Sequence, residues 1–119
     1  MCGIAGKIYF SPKPVVESDI KKMADTLTHR GPDQAGLWTN NNVGFAFRRL
    51  AIIDLSPAGN QPMSDNEGKV WIVFNGEIYN FQSLREELER DGIDFKSKTD
   101  TEVIIYLYKK YGINCLEKL

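Results

Sequence analysis

Cys2 and its position are the first chemical signal in the chain. Methionine aminopeptidases remove Met1 when the second residue is small, which leaves a thiol and a free α-amine on one residue. The thiolate is the nucleophile, and an unperturbed thiol titrates near about 8.5. An α-amine titrates at about 7.7–8.0, so a substantial fraction is a neutral base near neutrality. One residue then carries both nucleophile and base, with no need for His. Gly3 leaves the backbone beside it unobstructed. Taken alone, Cys2 reads more readily as a small buried strand residue.

Attack of a thiolate on a carboxamide creates an oxyanion, which needs donors already in place. Asn75-Gly76 offers a side-chain amide beside a glycine N–H, at the end of the most apolar run in the chain. An Asn-Gly hairpin turn is the competing reading. Against it, Glu77-Ile78-Tyr79-Asn80 leads into a helical pattern rather than a return strand. Arg48-Arg49 ends a strand pattern, and a guanidinium fork fits a carboxylate. Adjacent strand residues point to opposite faces, so one arginine can enter a site while the other meets solvent. Asp100 reads as a carboxylate for an ammonium group, or as an acidic first-turn residue of a helix. His29 is the only histidine and takes no role in proton transfer.

The elements that must hold these residues are legible in outline. Gly3–Phe10 reads as a strand broken by Ser11-Pro12-Lys13-Pro14. Ile20, Met23, Ala24 and Leu27 recur at helical spacing, with Ser18 as N-cap and Gly31-Pro32 as terminator. Ala35–Thr39 and Val43–Leu50 read as strands joined through Asn40-Asn41-Asn42, and the second shows a period of two. Ser56–Gly68 reads as a loop, Val70–Asn75 as the strongest strand and Phe95 as part of a short strand. Helices are predicted over Asn80–Arg90 and from Asp100 or Thr101 to Gly112. The second of these carries Val103, Ile104, Leu107, Tyr108 and Tyr111 inward. Cys115–Leu119 looks like the start of one more helix. Clustered strands favour α+β with antiparallel sheet over a doubly wound parallel fold.

Composition bounds the function classes. The 119 residues carry 15 Lys plus Arg against 16 Asp plus Glu, a net charge of −1, which leaves no footprint for nucleic acid or an anionic membrane surface. The apolar content of 42% suits a folded domain rather than disorder. No apolar run approaches the roughly 20 residues of a membrane span. The N-terminus lacks the charged and apolar regions of a secretory signal. Two cysteines at opposite ends form no CxxC, and a single His argues against a structural zinc site. A Cys2–Cys115 disulfide has no support, and a reducing cytoplasm is the simpler setting.

Six segments stand in order: Met1-Cys2-Gly3-Ile4, His29-Arg30-Gly31-Pro32-Asp33, Arg49-Leu50-Ala51-Ile52-Ile53-Asp54, Gly59-Asn60-Gln61-Pro62-Met63, Asn75-Gly76-Glu77-Ile78-Tyr79-Asn80 and Thr99-Asp100-Thr101-Glu102-Val103. Together they make the chain closely resemble the N-terminal glutaminase domain of glutamine-hydrolysing asparagine synthetases, which are class II glutamine amidotransferases and N-terminal-nucleophile hydrolases. The likeness covers residues 1–119. It implies an α+β fold, an αββα sandwich with antiparallel sheets. It also implies hydrolysis of the side-chain amide of L-glutamine to glutamate and ammonia through a Cys2 thioester. By the same resemblance, the Asn75 side chain and Gly76 N–H form the oxyanion hole. Arg49 holds the α-carboxylate, and Leu50, Ala51, Ile52 and Ile53 line the pocket with backbone. Glu77 and Asp100 receive the α-ammonium. His29 through Asp33 become scaffold, and Arg48 has no carried-over role.

The departure is length. Domains of this family are longer, and asparagine synthetases add a C-terminal domain that uses ATP and Mg through a Ser-Gly-Gly-type loop. Gly68-Lys69 does not provide such a loop. The expectation is therefore the N-terminal part of one amidotransferase domain, with no cofactor or metal of its own. A synthetase domain elsewhere would be its partner, and an incomplete sandwich would self-associate through open sheet edges. The alternatives are a catalytically silent glutamine-binding or assembly fragment, and an N-terminal-nucleophile hydrolase acting on another amide. The ammonia acceptor is left open between aspartate, another carboxylate and a sugar.

Overall fold

A computed structural model describes residues 1–52 and 54–119. The chain forms two units. The first comprises Met1–Ile52, Asn60–Pro62 and Val73–Asn75; the second comprises 54–59, Met63–Ile72 and Gly76–Leu119.

In the first unit β1 (Gly3–Ile8), β2 (Gln34–Asn40) and β3 (Val43–Arg49) form an antiparallel sheet in the order β1-β3-β2. Gly3 pairs with Arg48 and Ile8 with Val43; Gln34 pairs with Arg49 and Asn40 with Val43. The β2–β3 turn is Asn41-Asn42, with Asn41 at φ 48°, a left-handed conformation that Asn tolerates. Helix α1 (Glu17–Thr26) lies on one face of the sheet. Ile20 and Ala24 pack there with Val15 and Ala46, supported by Ala5 and Leu37. Gly44 permits this approach, since a Cβ on it would lie 2.8 Å from side-chain atoms of Ile20 and Val15. Alternation places Ile4, Ile8, Trp38, Phe45, Phe47 and Arg49 on the opposite face. There Trp38 and Phe45 contact at 5.5 Å between ring centroids, while Ile4 and Ile8 are exposed.

Two features of α1 differ from expectation. Val16, not Ser18, precedes the first turn, and it makes no side-chain cap. The chain is pinned just upstream by the Val15 N–H bond to Asn41 O at 2.7 Å, and Glu17 and Asp19 supply the acidic first turn. The helix stops at Thr26, ahead of Gly31-Pro32, where Thr26 and Thr28 hydroxyls donate to Met23 O and Asp25 O.

In the second unit α2 (Phe81–Arg90) and α3 (Asp100–Tyr111) share a core of Leu84, Leu88, Val103, Tyr106, Leu107 and Cys115. Thr99 caps α3 by accepting from the Glu102 N–H, and Gly112 at φ 60° ends it. Ile105 and Tyr106 are buried where Ile104 and Tyr108 were expected, and Tyr108 is 47% exposed. Gly112–Lys118 is a 3-10 helix rather than the start of an α-helix.

The strand expected over Val70–Asn75 is paired only at Trp71–Ile72 (β5), against Met63–Ser64 (β4), within the stretch read as a loop. Side chains take over at both ends. Asp65 Oδ1 accepts from the Lys69 and Val70 N–H groups, and the Gln61 carboxamide holds both polar groups of Phe74. Asp65 is 1% exposed and also receives Lys109 Nζ at 2.6 Å. Burial pushes its carboxyl up, but the Lys109 and backbone donors outweigh that and hold it at about 2. Phe95 is not in a strand. It lies under the Arg85 guanidinium, whose Cζ is 4.3 Å from the Phe95 ring centroid, and edge-on to Tyr106, while the next two N–H groups go to Glu102.

Candidate functional site

In the first unit Cys2 immediately precedes β1, and antiparallel pairing with β3 carries it to the far end of that strand. Cys2 Sγ accepts from the Leu50 N–H at 3.3 Å and lies 3.5 Å from Leu50 O. The thiol is thus seated on the peptide next to Arg49. Both cysteines are free thiols, so the chain has no disulfide. Arg49 is buried, and its Nη1 donates to Asn60 Oδ1 at 2.7 Å. Arg48 points to the other face, where it donates to Ala24 O and pairs with Asp25. The two arginines therefore divide as strand alternation requires, and Arg49 is the one whose following peptide seats the thiol.

The His29–Asp33 segment builds this platform. Arg30 Nε donates to Cys2 O at 3.1 Å. Asp33 brackets the end of β3: its N–H donates to Arg49 O at 3.0 Å, and its Oδ2 accepts from the Ala51 N–H at 2.9 Å. Between these bonds Gly31 lies so close to the Arg48–Arg49 peptide that an added Cβ would be 2.6 Å from Arg49 N and closer still to Arg48. Leu50 and Ala51 are half-buried and Ile52 is exposed. Ile53, the last of the expected pocket residues, lies outside the described residues.

Asn75 also belongs to the first unit and is half-buried. Among the described residues no hydrogen bond engages its carboxamide. Gly76, Glu77 and Asp100 belong to the second unit. There Asp100 is buried at the start of α3, and its Oδ2 accepts from the Ile78 N–H at 2.8 Å. That bond ties the Gly76–Ile78 segment to the helix N-terminus and leaves Glu77 exposed. Glu102 shapes the loop before Asp100, accepting from Lys96 N, Ser97 N and Ser97 Oγ. Asp54 bridges Ser56 N and Lys98 N. Among the described residues no cluster of His, Cys, Asp and Glu could hold a metal ion, and no helix is long and apolar enough to cross a membrane.

A thiol oriented by the Leu50 N–H, on the peptide that follows a buried arginine, suits a nucleophile acting on a substrate that carries a carboxylate. The model of the glutamine amidotransferase domain matches residues 1–119, the whole chain. The chain belongs to this family. Asparagine synthetase [glutamine-hydrolyzing] 1 of Bacillus subtilis is 44% identical over 124 residues, covering 100% of this chain and 19% of that protein. Amidase chry2 of Gibberella zeae is 40% identical over 131 residues, with 100% and 19% coverage. Asparagine synthetase [glutamine-hydrolyzing] 1 of Arabidopsis thaliana is 35% identical over 120 residues, with 100% and 20% coverage. The chain thus spans about a fifth of the length of the curated relatives it matches.

For an amidotransferase domain, the polar residues without an assigned role become informative. Asp33, Asn60 and Gln61 each hold a segment that carries a candidate site residue, and Glu102 holds the loop just before Asp100. All four lie in or beside the six ordered segments.

Proposed function

We propose that the mature chain hydrolyses the side-chain amide of L-glutamine, with Cys2 as nucleophile. The observation that carries this reading is Cys2 Sγ seated on the Leu50 peptide beside buried Arg49, in a chain matched over its whole length by the amidotransferase model. Met1 is 73% exposed, so an aminopeptidase can reach the bond that frees the Cys2 amine.

In this scheme Arg49 grips the glutamine α-carboxylate, and the Leu50–Ile52 backbone lines the pocket. Exposed Glu77 and buried Asp100 receive the α-ammonium, Asp100 being held by the Ile78 N–H. The Cys2 α-amine takes the thiol proton, and the thiolate attacks the amide carbon. The carbonyl oxygen becomes an oxyanion held by the Asn75 carboxamide and the Gly76 N–H. As the tetrahedral adduct collapses, the C–N bond breaks and the α-ammonium returns the proton, so ammonia leaves and a γ-glutamyl thioester remains. Water then attacks the thioester, passing its proton through the same amine to the departing thiol, and glutamate is released.

The apolar sheet face bearing Phe45, Phe47 and exposed Ile4 and Ile8 supports an αββα sandwich whose second sheet covers it. Ammonia would pass to a synthetase domain of the parent protein, and ATP and Mg would be needed only there. The edge position of β1 supports self-association of the isolated chain; a strict monomer by light scattering at high concentration argues against it. Two free thiols suit a reducing cytoplasm.

The test is glutamate release from glutamine by the chain with Met1 removed. Cys2→Ala should abolish turnover while leaving the fold intact. Glutamine binding by calorimetry with no glutamate release would select the silent glutamine-binding fragment instead.

A further inference from the structure

The Gly59–Met63 segment carries two adjacent side chains that the reaction scheme leaves unused. Gln61 is 6% exposed. Its Oε1 accepts from the Phe74 N–H at 2.6 Å and its Nε2 donates to Phe74 O at 3.2 Å. One carboxamide thus takes both main-chain groups of Phe74, as a neighbouring strand would. The residue that follows Phe74 is Asn75. The anchor is itself fixed: a Cβ on Gly36 of β2 would lie 2.8 Å from Gln61 C and 2.9 Å from Pro62 Cδ. The other side chain is Asn60, whose Oδ1 accepts from Arg49 Nη1 at 2.7 Å.

We propose that Asn60-Gln61 is a two-sided positioning clip, in which Gln61 sets the Asn75 carboxamide for the oxyanion and Asn60 sets the Arg49 guanidinium for the substrate carboxylate. The proposal rests on the roles given above to Asn75 and Arg49. Neither Asn60 nor Gln61 touches the reacting atoms; each acts through the residue it holds. The two halves differ in kinetic signature. An oxyanion donor interacts more strongly with the transition state than with the substrate, so its misplacement lowers kcat. A grip on the α-carboxylate is present in both states, so loosening it raises KM. A displacement of about 1 Å at a catalytic group costs about a hundredfold in rate.

The experiment is steady-state glutamine hydrolysis by the 119-residue chain with Met1 removed, normalised to sites titrated with a diazoketone glutamine analogue. Gln61→Leu should lower kcat per titrated site by about 10–100-fold with KM changed by less than about threefold. Asn60→Ala should raise KM by about three- to tenfold with kcat nearly unchanged. Gln61→Glu separates positioning from general stability. Its carboxylate cannot donate to Phe74 O, whereas its protonated form restores both bonds, so its kcat relative to the parent should rise as pH falls from about 8 to about 6. In parallel, the Phe74 amide should be protected from exchange in the parent and in Asn60→Ala, and lose protection in Gln61→Leu. A parent that hydrolyses glutamine while Gln61→Leu keeps its kcat overturns the clip alone. Equal changes in kcat and KM for both variants also overturn it. A parent that releases no glutamate overturns the functional reading and the clip's catalytic role with it, whatever the Phe74 amide does.

Discussion

Gly31→Ala is the substitution that most sharply couples packing to Cys2, the proposed nucleophile. The new Cβ would stand 2.6 Å from Arg49 N and nearer to the Arg48 carbonyl, where real Cβ contacts do not fall below 3.0 Å. Its obstacle is backbone within a sheet, not the end of a flexible side chain, so the His29–Asp33 loop and the end of β3 must separate. Overpacking of this kind costs about 1–3 kcal/mol, and a backbone obstacle belongs at about 2–3. With a urea slope of about 1–2 kcal/mol per M, the unfolding midpoint should fall by about 1–3 M. Gly6→Ala is the control, because its Cβ would meet Gly44 O at 3.2 Å and the Phe45 ring at 3.3 Å; it should cost less than about 1 kcal/mol. The bonds flanking Gly31, Asp33 N to Arg49 O and Ala51 N to Asp33 Oδ2, enclose Leu50, which seats the Cys2 thiol. Alkylation of Cys2 by the glutamine analogue should therefore slow in Gly31→Ala even at zero denaturant. An unchanged midpoint, or a larger loss in Gly6→Ala, would refute the packing reasoning. Loss of stability with unchanged Cys2 alkylation would refute the link to the site.

Three further outcomes follow from particular contacts. Asp65 is held at about 2 against its ordinary 3.8, so it stabilises the folded chain above about pH 4 and loses that contribution as pH falls through about 2. Allowing for the third of Lys109 that solvent reaches, this is worth about 1–2 kcal/mol, and Asp65→Ala should flatten that part of an acid-unfolding curve. Arg49→Lys keeps charge but loses the planar fork that Asn60 orients; KM for glutamine should rise by about tenfold or more in initial-rate assays. Thr99→Val removes the α3 cap and should lower stability in urea by about 1 kcal/mol, measured by helix circular dichroism.

The sequence made the regular elements of the first unit legible because local rules govern them. Period-two residues around Phe45, an Asn-rich turn and a helical stripe through Ile20 and Ala24 each act within a few residues. It misplaced Val70–Asn75 for a different reason. That run is apolar enough for a full strand, yet distant side chains, Asp65 and Gln61, satisfy its ends. Phe95 failed likewise, because an overlying arginine and Tyr106 decide its place rather than β-propensity. At the site, the alternation of Arg48 and Arg49 followed from strand geometry alone. The seat of Cys2 on Leu50 and the links from Asn60, Gln61 and Asp33 did not, since they join residues 11 to 48 positions apart. Asp100 is both the first-turn acid and an anchor for Ile78, a pairing its local sequence does not reveal.

The most direct test of the central claim is the intact mass of the purified chain before and after exposure to a diazoketone glutamine analogue. The prediction is a chain lacking Met1 that gains one adduct on Cys2, with excess glutamine blocking the gain. A processed chain that forms no adduct, or an adduct on Cys115 that glutamine does not block, would contradict an assembled glutaminase site built on Cys2.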